Sequence, residues 1–224
     1  MIKTGIIFAD EKEFAPFLKY NRTGEPEVIG GLKCVTVEEG GNRVIGVLCG
    51  IGKVNAATAA ALLIYRFGVD RILNAGLSGA VEDVSRDEVI AGESYVECDF
   101  DLSPLGLPKG HKPGEELVRH ADPELLKTAV ERLGIRAVRL GTGDVFLTDK
   151  ELKDEYSALF HVNAFDMETA AIASVCEKNG VPFLSIRKIS DGADGDSIVD
   201  YREMNDKEEI DLSVCLEKLV FGGR

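Results

Sequence analysis

Short runs of β-branched and other apolar residues alternate with amphipathic segments along most of this chain. The first apolar run spans residues 4–8, and Phe14 and Phe17 recur at helical spacing directly after it. This alternation is typical of proteins in which helices cover both faces of a sheet, so it predicts the α/β class. Residues 32–38 and 43–49 are alternating runs joined across two glycines, which predicts a β-hairpin. Because a hairpin is antiparallel, we expect a mixed sheet.

The remaining segments continue the same alternation to the end of the chain. Helices are predicted over residues 54–67, 123–133, 149–156, 167–178 and 208–221. Strands are predicted over residues 71–74, 88–90, 93–98, 137–142, 162–165 and 183–189. Residues 99–115 hold three prolines and three glycines, and we interpret them as a long loop and a candidate lid, because such loops are commonly functional. Without a repeat or a linker, residues 1–224 are expected to form a single domain.

The composition limits which partners and compartments fit the chain. Lysine and arginine number 26 against 39 aspartates and glutamates, which gives a formal net charge of -13. This charge repels nucleic-acid phosphates and anionic membranes, so we expect neither as a partner. No apolar run approaches the roughly 20 residues of a membrane helix. Five cysteines, odd in number and without a Cys-x-x-Cys pair, suit a reducing compartment, so a cytoplasmic location is expected.

Histidine chemistry is not indicated by this sequence. The three histidines, His111, His120 and His161, lie far apart along the chain. The sequence therefore favours neither a histidine metal cluster nor a histidine-centred catalytic triad. We expect no metal and no cofactor, and we expect acidic side chains to carry the catalysis.

Gly50-Ile51-Gly52 lies between a predicted strand and a predicted helix, where backbone amides can hold an anion. A dinucleotide fingerprint would require a third glycine where this chain has Asn55. A phosphate-binding loop would require glycine at Val47 and serine or threonine at Val54. A tight strand-to-helix turn is therefore the favoured interpretation.

Residues 191–196 contain three carboxylates, Asp191, Asp194 and Asp196, as a calcium-binding loop would. The calcium motif needs acids at alternate positions and a glutamate at the twelfth place, where this chain has Arg202. We interpret Asp194 and Asp196 as a solvated acidic turn. Asp191 differs because it ends a predicted buried strand, where α/β proteins place their ligand crevices.

Two other groups of acids lie at predicted helix starts. Asp166 and Glu168 end a strand and open a helix, and Glu13 follows the first strand. Acidic residues are common at helix N-termini, because the helix dipole favours their ionised form. Each of these acids alone is explained by capping.

The order of the motifs is more informative than any one of them. Along the chain come Glu13 after a Gly-Ile-Ile strand, then Gly50-Ile51-Gly52-Lys53-Val54, Asn74-Ala75-Gly76-Leu77-Ser78-Gly79, Asp99-Phe100-Asp101-Leu102-Ser103, Gly143-Asp144-Val145-Phe146, Asp166-Met167-Glu168-Thr169-Ala170 and Arg187-Lys188-Ile189-Ser190-Asp191. In this order and at these spacings the sequence resembles the 5′-methylthioadenosine/S-adenosylhomocysteine nucleosidases of the purine nucleoside phosphorylase superfamily. The resemblance covers about residues 1–219.

The resemblance implies a three-layer α/β/α sandwich around a mixed central sheet, the nucleoside phosphorylase-like fold. It implies a hydrolase that cleaves the N-glycosidic bond of 5′-methylthioadenosine or S-adenosylhomocysteine, releases adenine and a thioribose product, and needs no cofactor. It also implies a homodimer. Leu105 and Leu107 fall in the loop that, in this family, reaches across the dimer to cover the 5′ substituent of the substrate.

The resemblance also implies which residues are catalytic. Glu13 corresponds to the acid that activates the attacking water, with Arg187 nearby. Asp191, oriented by Ser190, corresponds to the acid that protonates or hydrogen-bonds the leaving purine. These residue types suit the chemistry, because an oxocarbenium-like transition state needs a proton donor for the leaving base and negative charge near the sugar.

Further residues are implied in substrate binding. Glu168 corresponds to the residue that holds the ribose hydroxyls, and Met167 packs under the sugar. Phe146 stacks on the base, while the backbone of Leu147 reads the edge of the base. The resemblance places three more residues in substrate binding: Ser78, Gly79 and Asp166.

Three departures from the family pattern leave the exact substrate open. Leu77 stands where the nucleosidases usually have a serine, Asp166 replaces a more usual glutamate, and the loop after Asp99 lacks the usual aromatic residues. A relative that acts on an aminodeoxyfutalosine-type nucleoside is therefore an alternative.

Two other functions share the fold. A nucleoside phosphorylase needs cationic and hydroxyl groups to hold phosphate. This chain has Asn74 and Leu77 where the bacterial hexameric phosphorylases carry arginine and serine. A non-catalytic nucleoside sensor has no need of a water-activating acid. It is disfavoured because four residues implied in the reaction are all present: Glu13, Glu168, Arg187 and Asp191.

Overall fold

A computed structural model describes residues 2–193, 197–206 and 210–222 of the chain. Within these ranges one mixed sheet contains ten strands. The strands are β1 Lys3–Phe8, β2 Glu27–Ile29, β3 Leu32–Glu39, β4 Asn42–Leu48, β5 Arg71–Ala80, β6 Val89–Glu97, β7 Val118–His120, β8 Arg136–Thr142, β9 Ala164–Asp166 and β10 Phe183–Asp191. The helices are α1 Glu11–Tyr20, α2 Lys53–Leu62, α3 Pro123–Leu133, α4 Lys150–Phe160, α5 Thr169–Asn179, α6 Ser197–Asp206 and α7 Ser213–Val220.

The sheet runs in the order β10-β6-β8-β9-β5-β1-β4-β3-β2, and β7 pairs with β6. Because β10 also pairs with β5, the strands β5, β10, β6, β8 and β9 form a closed ring. The pairs β1–β4, β1–β5 and β5–β10 are parallel, whereas β3–β4 and β6–β10 are antiparallel. The mixed α/β sheet predicted from the sequence is therefore confirmed.

Helix α2 packs closely on the sheet because small residues allow it. Ala56, Ala59 and Ala60 of α2 are fully buried, and the helix widens into a π-helical turn over Leu63–Phe67. A Cβ on Gly5 of β1 would lie only 2.7 Å from a methyl group of Leu63. A glycine at this position thus permits the contact between helix and strand.

Several element boundaries differ from the sequence prediction. The strands predicted over 88–90 and 93–98 are one strand, β6, with a register shift between Gly92 and Ser94. The predicted helix 208–221 begins at Ser213, and residues 207–209 lie outside the described part. The short strands β2 and β7 and the helix α6 were not predicted, because few apolar residues in them show a clear periodicity.

The parallel strands bring the candidate residues together. β1, β5 and β10 run parallel, so their carboxyl ends meet at one edge of the sheet. The long loop between β6 and β7 was predicted, and it contains one helical turn, Ser103–Leu105. Among the residues described, no helix is long and apolar enough to cross a membrane.

Candidate active site

A cavity of about 360 Å³ opens where these strands end. All the site residues predicted from the sequence line it, except Leu105 and Leu107. The lining residues are Ala9, Asp10, Glu13, Ile51, Leu77, Ser78, Gly79, Val145, Phe146, Leu147, Phe165, Asp166, Met167, Glu168, Arg187, Ser190, Asp191, Ala193 and Tyr201. Leu105 projects into solvent with 76% of its surface exposed.

Glu13 is held at the start of α1 by backbone hydrogen bonds. Asp10 caps the helix, and Glu13 Oε2 accepts the N–H groups of Ala9 and Asp10 at 3.0 and 3.1 Å, which forms a capping box. Glu13 Oε1 also accepts the N–H of Leu77 at 2.9 Å, across the sheet edge. Burial raises the pKa of Glu13, while Arg187 and these three hydrogen bonds oppose the increase. The result is an immobilised carboxylate suited to accept a proton.

Gly76 lets Glu13 and Arg187 lie together against the backbone of β5. A Cβ at Gly76 would come within 2.5 Å of Glu13 Oε1 and 2.8 Å of Arg187 Nη1. Any side chain there would displace both functional groups. Gly76 therefore shapes the site without contributing a polar group of its own.

Arg187 of β10 is 1% exposed and uses its guanidinium to contact β5, β9 and the start of α5. Nε donates to Ser78 Oγ at 3.0 Å, Nη1 donates to Asn74 Oδ1 at 3.0 Å, and Nη2 donates to the carbonyl of Leu77. Asp166 and Glu168 lie within ion-pair distance, at 3.7 and 3.6 Å. One buried cation thus balances part of the charge of the surrounding acids.

Asp166 and Glu168 are only two positions apart in the sequence but accept hydrogen bonds from different parts of the structure. Asp166 accepts hydrogen bonds from the Thr142 hydroxyl and from the N–H groups of Glu168 and Thr169, so its carboxylate supports the start of α5. Glu168 Oε1 accepts one hydrogen bond from the N–H of Gly52 at 3.0 Å. Burial raises the pKa of Glu168 to about 7, with Arg187 opposing and Asp166 adding to the increase.

Asp191 lies at the carboxyl end of β10, in the place expected from the sequence. Its Oδ2 accepts the Ser190 hydroxyl at 2.6 Å, and its Oδ1 accepts the N–H of Ala193 at 2.8 Å. A Cβ on Gly79 would lie 2.9 Å from Asp191 Oδ1, so this glycine makes room for the acid. Asp194 and Asp196, interpreted from the sequence as a solvated turn, lie outside the described residues.

An aromatic pair forms one wall of the cavity. Phe146 meets Tyr201 of α6 edge to face, with ring centroids 5.4 Å apart. Phe146 is 39% exposed, so its ring is accessible from the cavity. Sequence reasoning missed Tyr201 because it lies on the unpredicted helix α6.

Leu77, which stands where the nucleosidases usually have a serine, packs against α6. Its side chain clusters with Met204, Ile210 and Tyr201. This apolar contact fastens α6 beside the cavity. The departure from serine at position 77 therefore has a packing function in this chain.

The Gly50-Ile51-Gly52 turn serves the chain's own carboxylates. Gly52 donates its N–H to Glu168, and Lys53 donates its N–H to Asp144 Oδ1 at 2.8 Å. Gly52 has a φ of +102°, which favours glycine. The structure agrees with the tight-turn interpretation, and the amides at the start of α2 hold Glu168 of the site and Asp144 beside it.

Comparisons with known proteins identify the family to which this chain is similar. The sequence profile of the phosphorylase superfamily matches residues 3–220. A 5′-methylthioadenosine/S-adenosylhomocysteine nucleosidase from Shewanella denitrificans is 34% identical over 208 residues, covering 89% of this chain and 90% of that protein.

Two solved structures from Helicobacter pylori superpose on this chain with a TM-score of 0.94. One is a 5′-methylthioadenosine/S-adenosylhomocysteine nucleosidase with butyl-thio-DADMe-Immucillin-A, 27% identical and covering 99% of both chains. The other is a futalosine hydrolase, 26% identical, covering 99% of this chain and 98% of that one.

Proposed function

We propose a reaction for this chain from the premise that it belongs to the phosphorylase superfamily and, within it, to the 5′-methylthioadenosine/S-adenosylhomocysteine nucleosidases. The enzyme hydrolyses the N-glycosidic bond of 5′-methylthioadenosine and S-adenosylhomocysteine and releases adenine and the free thiosugar. The observation that carries the proposal is the arrangement of Glu13, Glu168 and Asp191 around one cavity. Three carboxylates at separate points of the wall suit a reaction that needs a base, a proton donor and negative charge near a cationic sugar.

Glu13 supports the attack of water. Its carboxylate, fixed by three backbone N–H groups, takes a proton from the water as the oxygen bonds to C1′ of the sugar. Because all three donors are main-chain groups of packed elements, the carboxylate stays in place throughout the reaction. This preorganisation lowers the cost of aligning base and water.

Asp191 and Glu168 support the departure of the purine. As the bond between C1′ and the base breaks, its electron pair moves to the base, and Asp191 supplies a proton or a hydrogen bond to the purine. Glu168 accepts hydrogen bonds from the ribose hydroxyls and adds negative charge beside the oxocarbenium-like sugar. Phe146 stacks on the base, which holds the leaving group between the aromatic wall and Asp191.

The reaction is expected to be independent of phosphate. The guanidinium of Arg187 is surrounded by Glu13, Asp166 and Glu168, and its donors bind groups of the chain itself. A phosphate dianion would be repelled by these carboxylates. Incubation with methylthioadenosine should release adenine at the same rate in phosphate buffer and in a chloride buffer of equal ionic strength, as measured by chromatography. A ribose 1-phosphate product would assign the chain to the phosphorylases.

One observation supports a nucleoside of the aminodeoxyfutalosine type as a second candidate substrate. The futalosine hydrolase structure superposes as closely as the nucleosidase structure, with the same TM-score of 0.94. The adenine-release assay is therefore run in parallel with methylthioadenosine, S-adenosylhomocysteine and aminodeoxyfutalosine. The ratio of kcat/KM values identifies the preferred 5′ substituent.

The ionisation of Glu168 is expected to appear in the pH profile. With a pKa raised by burial to about 7, Glu168 is protonated below that pH and accepts ribose hydroxyls poorly. We expect KM to fall as pH increases through about 7, and Glu168→Gln to flatten this dependence. Between 4.5 and about 7 the folded protein retains a proton that the unfolded chain has lost, so this group makes folding less favourable as pH increases. A KM profile identical in wild type and Glu168→Gln would contradict the assignment.

A homodimer belongs to the same proposal. Val54 of α2 and Tyr65 of the π-helical turn that follows it are 77% and 76% exposed, and Ile51, shortly before Val54, is half exposed and lines the cavity. This apolar face is therefore continuous with the mouth of the cavity, where a second copy would bury it. Exposed Leu105 would then lie on the partner's site together with Leu107. A cytoplasmic location is part of this proposal, because all five cysteines are free thiols.

Light scattering should give twice the chain mass of 24.2 kDa at micromolar concentration. Val54→Asp would bury an unpaired charge in the proposed interface, which is costly enough to separate the subunits. The resulting monomer lacks the partner's loop and should have a lower kcat/KM. The matched control is Val214→Asp, at an exposed position on α7. A fully active wild-type monomer would rule out this arrangement.

A further inference from the structure

A cluster of charged side chains lies beside the cavity without lining it. Lys53 at the start of α2 is 18% exposed, and its Nζ binds Glu97 Oε1 at 2.8 Å and Asp99 Oδ1 at 2.6 Å. Lys112 from the loop after β6 binds the other oxygen of Glu97. The mechanism described above uses none of these four residues, so their close packing requires a different explanation.

The cluster holds one end of the loop that carries Phe146. Asp99 Oδ2 accepts the N–H of Asp144 at 2.8 Å, and Asp144 Oδ1 accepts the N–H of Lys53 at 2.8 Å. Asp144 is therefore fixed through its backbone and its side chain at once. The next residues along the chain, 145–147, line the cavity.

Close packing leaves this loop little freedom to move relative to Asp99. A Cβ on Gly143 would lie 3.0 Å from Asp99 Cγ and 3.0 Å from the ring of Phe165. A Cβ on Gly52 would lie 3.1 Å from Asp144 Oδ1. The loop backbone thus rests directly on the carboxylate of Asp99 and on the turn that also binds Glu168.

The charges in the cluster depend on one another. Burial alone would lower the pKa of Lys53, but hydrogen bonds with Asp99 and Glu97 outweigh burial and raise it. Without Lys53, Lys112 would still pair with Glu97, but the carboxylates of Glu97 and Asp99 would lose the cation that they share. Their repulsion would move Asp99 away from the Asp144 amide.

We propose that Lys53 and Asp99 are positioning residues, which act through Asp144 to hold the loop 143–147 so that Phe146 faces the base. The inference rests on the proposed function, because it takes the stacking of Phe146 on the base as given. Lys53 neutralises Asp99, Asp99 holds the Asp144 amide, and the loop then presents Phe146 to the cavity. The proposal assigns a role in substrate affinity to two residues that do not line the cavity.

Kinetics of Lys53→Met and Asp99→Asn test the proposal. Each variant should raise KM by at least about tenfold, the scale of losing a hydrogen bond to a charged group, with kcat changed less than about twofold. Lys150→Met is the matched control, because Lys150 forms an exposed ion pair with Asp154 on α4, and it should leave both constants unchanged. A wild-type KM in Lys53→Met and Asp99→Asn would overturn the proposal.

Combining these variants with Phe146→Ala separates positioning from general destabilisation. If Lys53 acts through Phe146, adding Lys53→Met to Phe146→Ala should raise KM no further. An equal multiplication of KM in both backgrounds would show that Lys53 acts by another route and would overturn the proposal. Asp99→Asn carries the same comparison if Lys53→Met does not fold.

Amide hydrogen exchange gives a readout that does not need substrate. The peptide covering residues 143–147 should exchange faster in Lys53→Met and Asp99→Asn than in the wild type and in Lys150→Met, because Asp99 loses its partner in the first variant and its charge in the second, and either loss weakens the hydrogen bond from the Asp144 N–H. Unchanged exchange would overturn the positioning role. A wild-type protein that releases no adenine would instead refute the proposed function, so the two failures are distinguishable.

Discussion

Replacing Glu13 with glutamine is expected to lower the rate of adenine release by about 10²–10⁴-fold, the usual contribution of general acid–base catalysis. Glutamine cannot take a proton from water. It also replaces one carboxylate oxygen with an NH₂ group. In the wild type both oxygens accept hydrogen bonds, from the backbone N–H groups of Ala9, Asp10 and Leu77. One of these contacts therefore becomes a donor facing a donor.

Steady-state kinetics and calorimetry together check the Glu13 prediction. Ribose contacts through Glu168 should remain, so a non-hydrolysable methylthio nucleoside analogue should still bind. Glu11→Gln is the matched control, because Glu11 lies two residues away on α1, is exposed and pairs with Lys33. Turnover above about a tenth of the wild-type value in Glu13→Gln would refute its role as the base.

Asp191→Asn is expected to lower the rate to a similar extent, about 10²–10⁴-fold, for a different reason. Asparagine keeps the size of the side chain and one acceptor, but it cannot deliver a proton to the purine. Asparagine can keep only one of the two oxygens that accept hydrogen bonds from Ser190 and Ala193. We expect the fold to survive this partial loss, whereas the leaving purine loses its proton donor.

A substrate with a better leaving group tests the Asp191 prediction. A nucleoside whose base departs without protonation should be cleaved by Asp191→Asn with a much smaller loss than methylthioadenosine, whereas Glu13→Gln should lose activity on both substrates. Asp154→Asn, an exposed position on α4, serves as the control. An equal loss on both substrates in Asp191→Asn would remove the assignment of this residue to the leaving group.

The class of fold was predictable because it depends on local patterns. The alternation of apolar runs and amphipathic segments predicted a mixed α/β sheet, and the sheet is present. Glu13, Asp166 and Glu168 were explained by helix capping when taken singly, and capping contacts are indeed present at Glu13 and Asp166. Only the order of motifs along the chain indicated that these acids share a site.

The sequence by itself determined the α/β class, the short turn at Gly50–Gly52 and the set of acidic residues at strand ends, since these follow from periodicity and from spacing along the chain. Only the tertiary structure decided that position 76 must lack a side chain, because Glu13 and Arg187 pack together against its backbone. It also decided that Tyr201 completes the aromatic wall and that Lys53 reaches Asp99. The physical reason is distance along the chain: contacts between residues tens of positions apart depend on strand register and side-chain packing, which leave no periodic signal in the sequence.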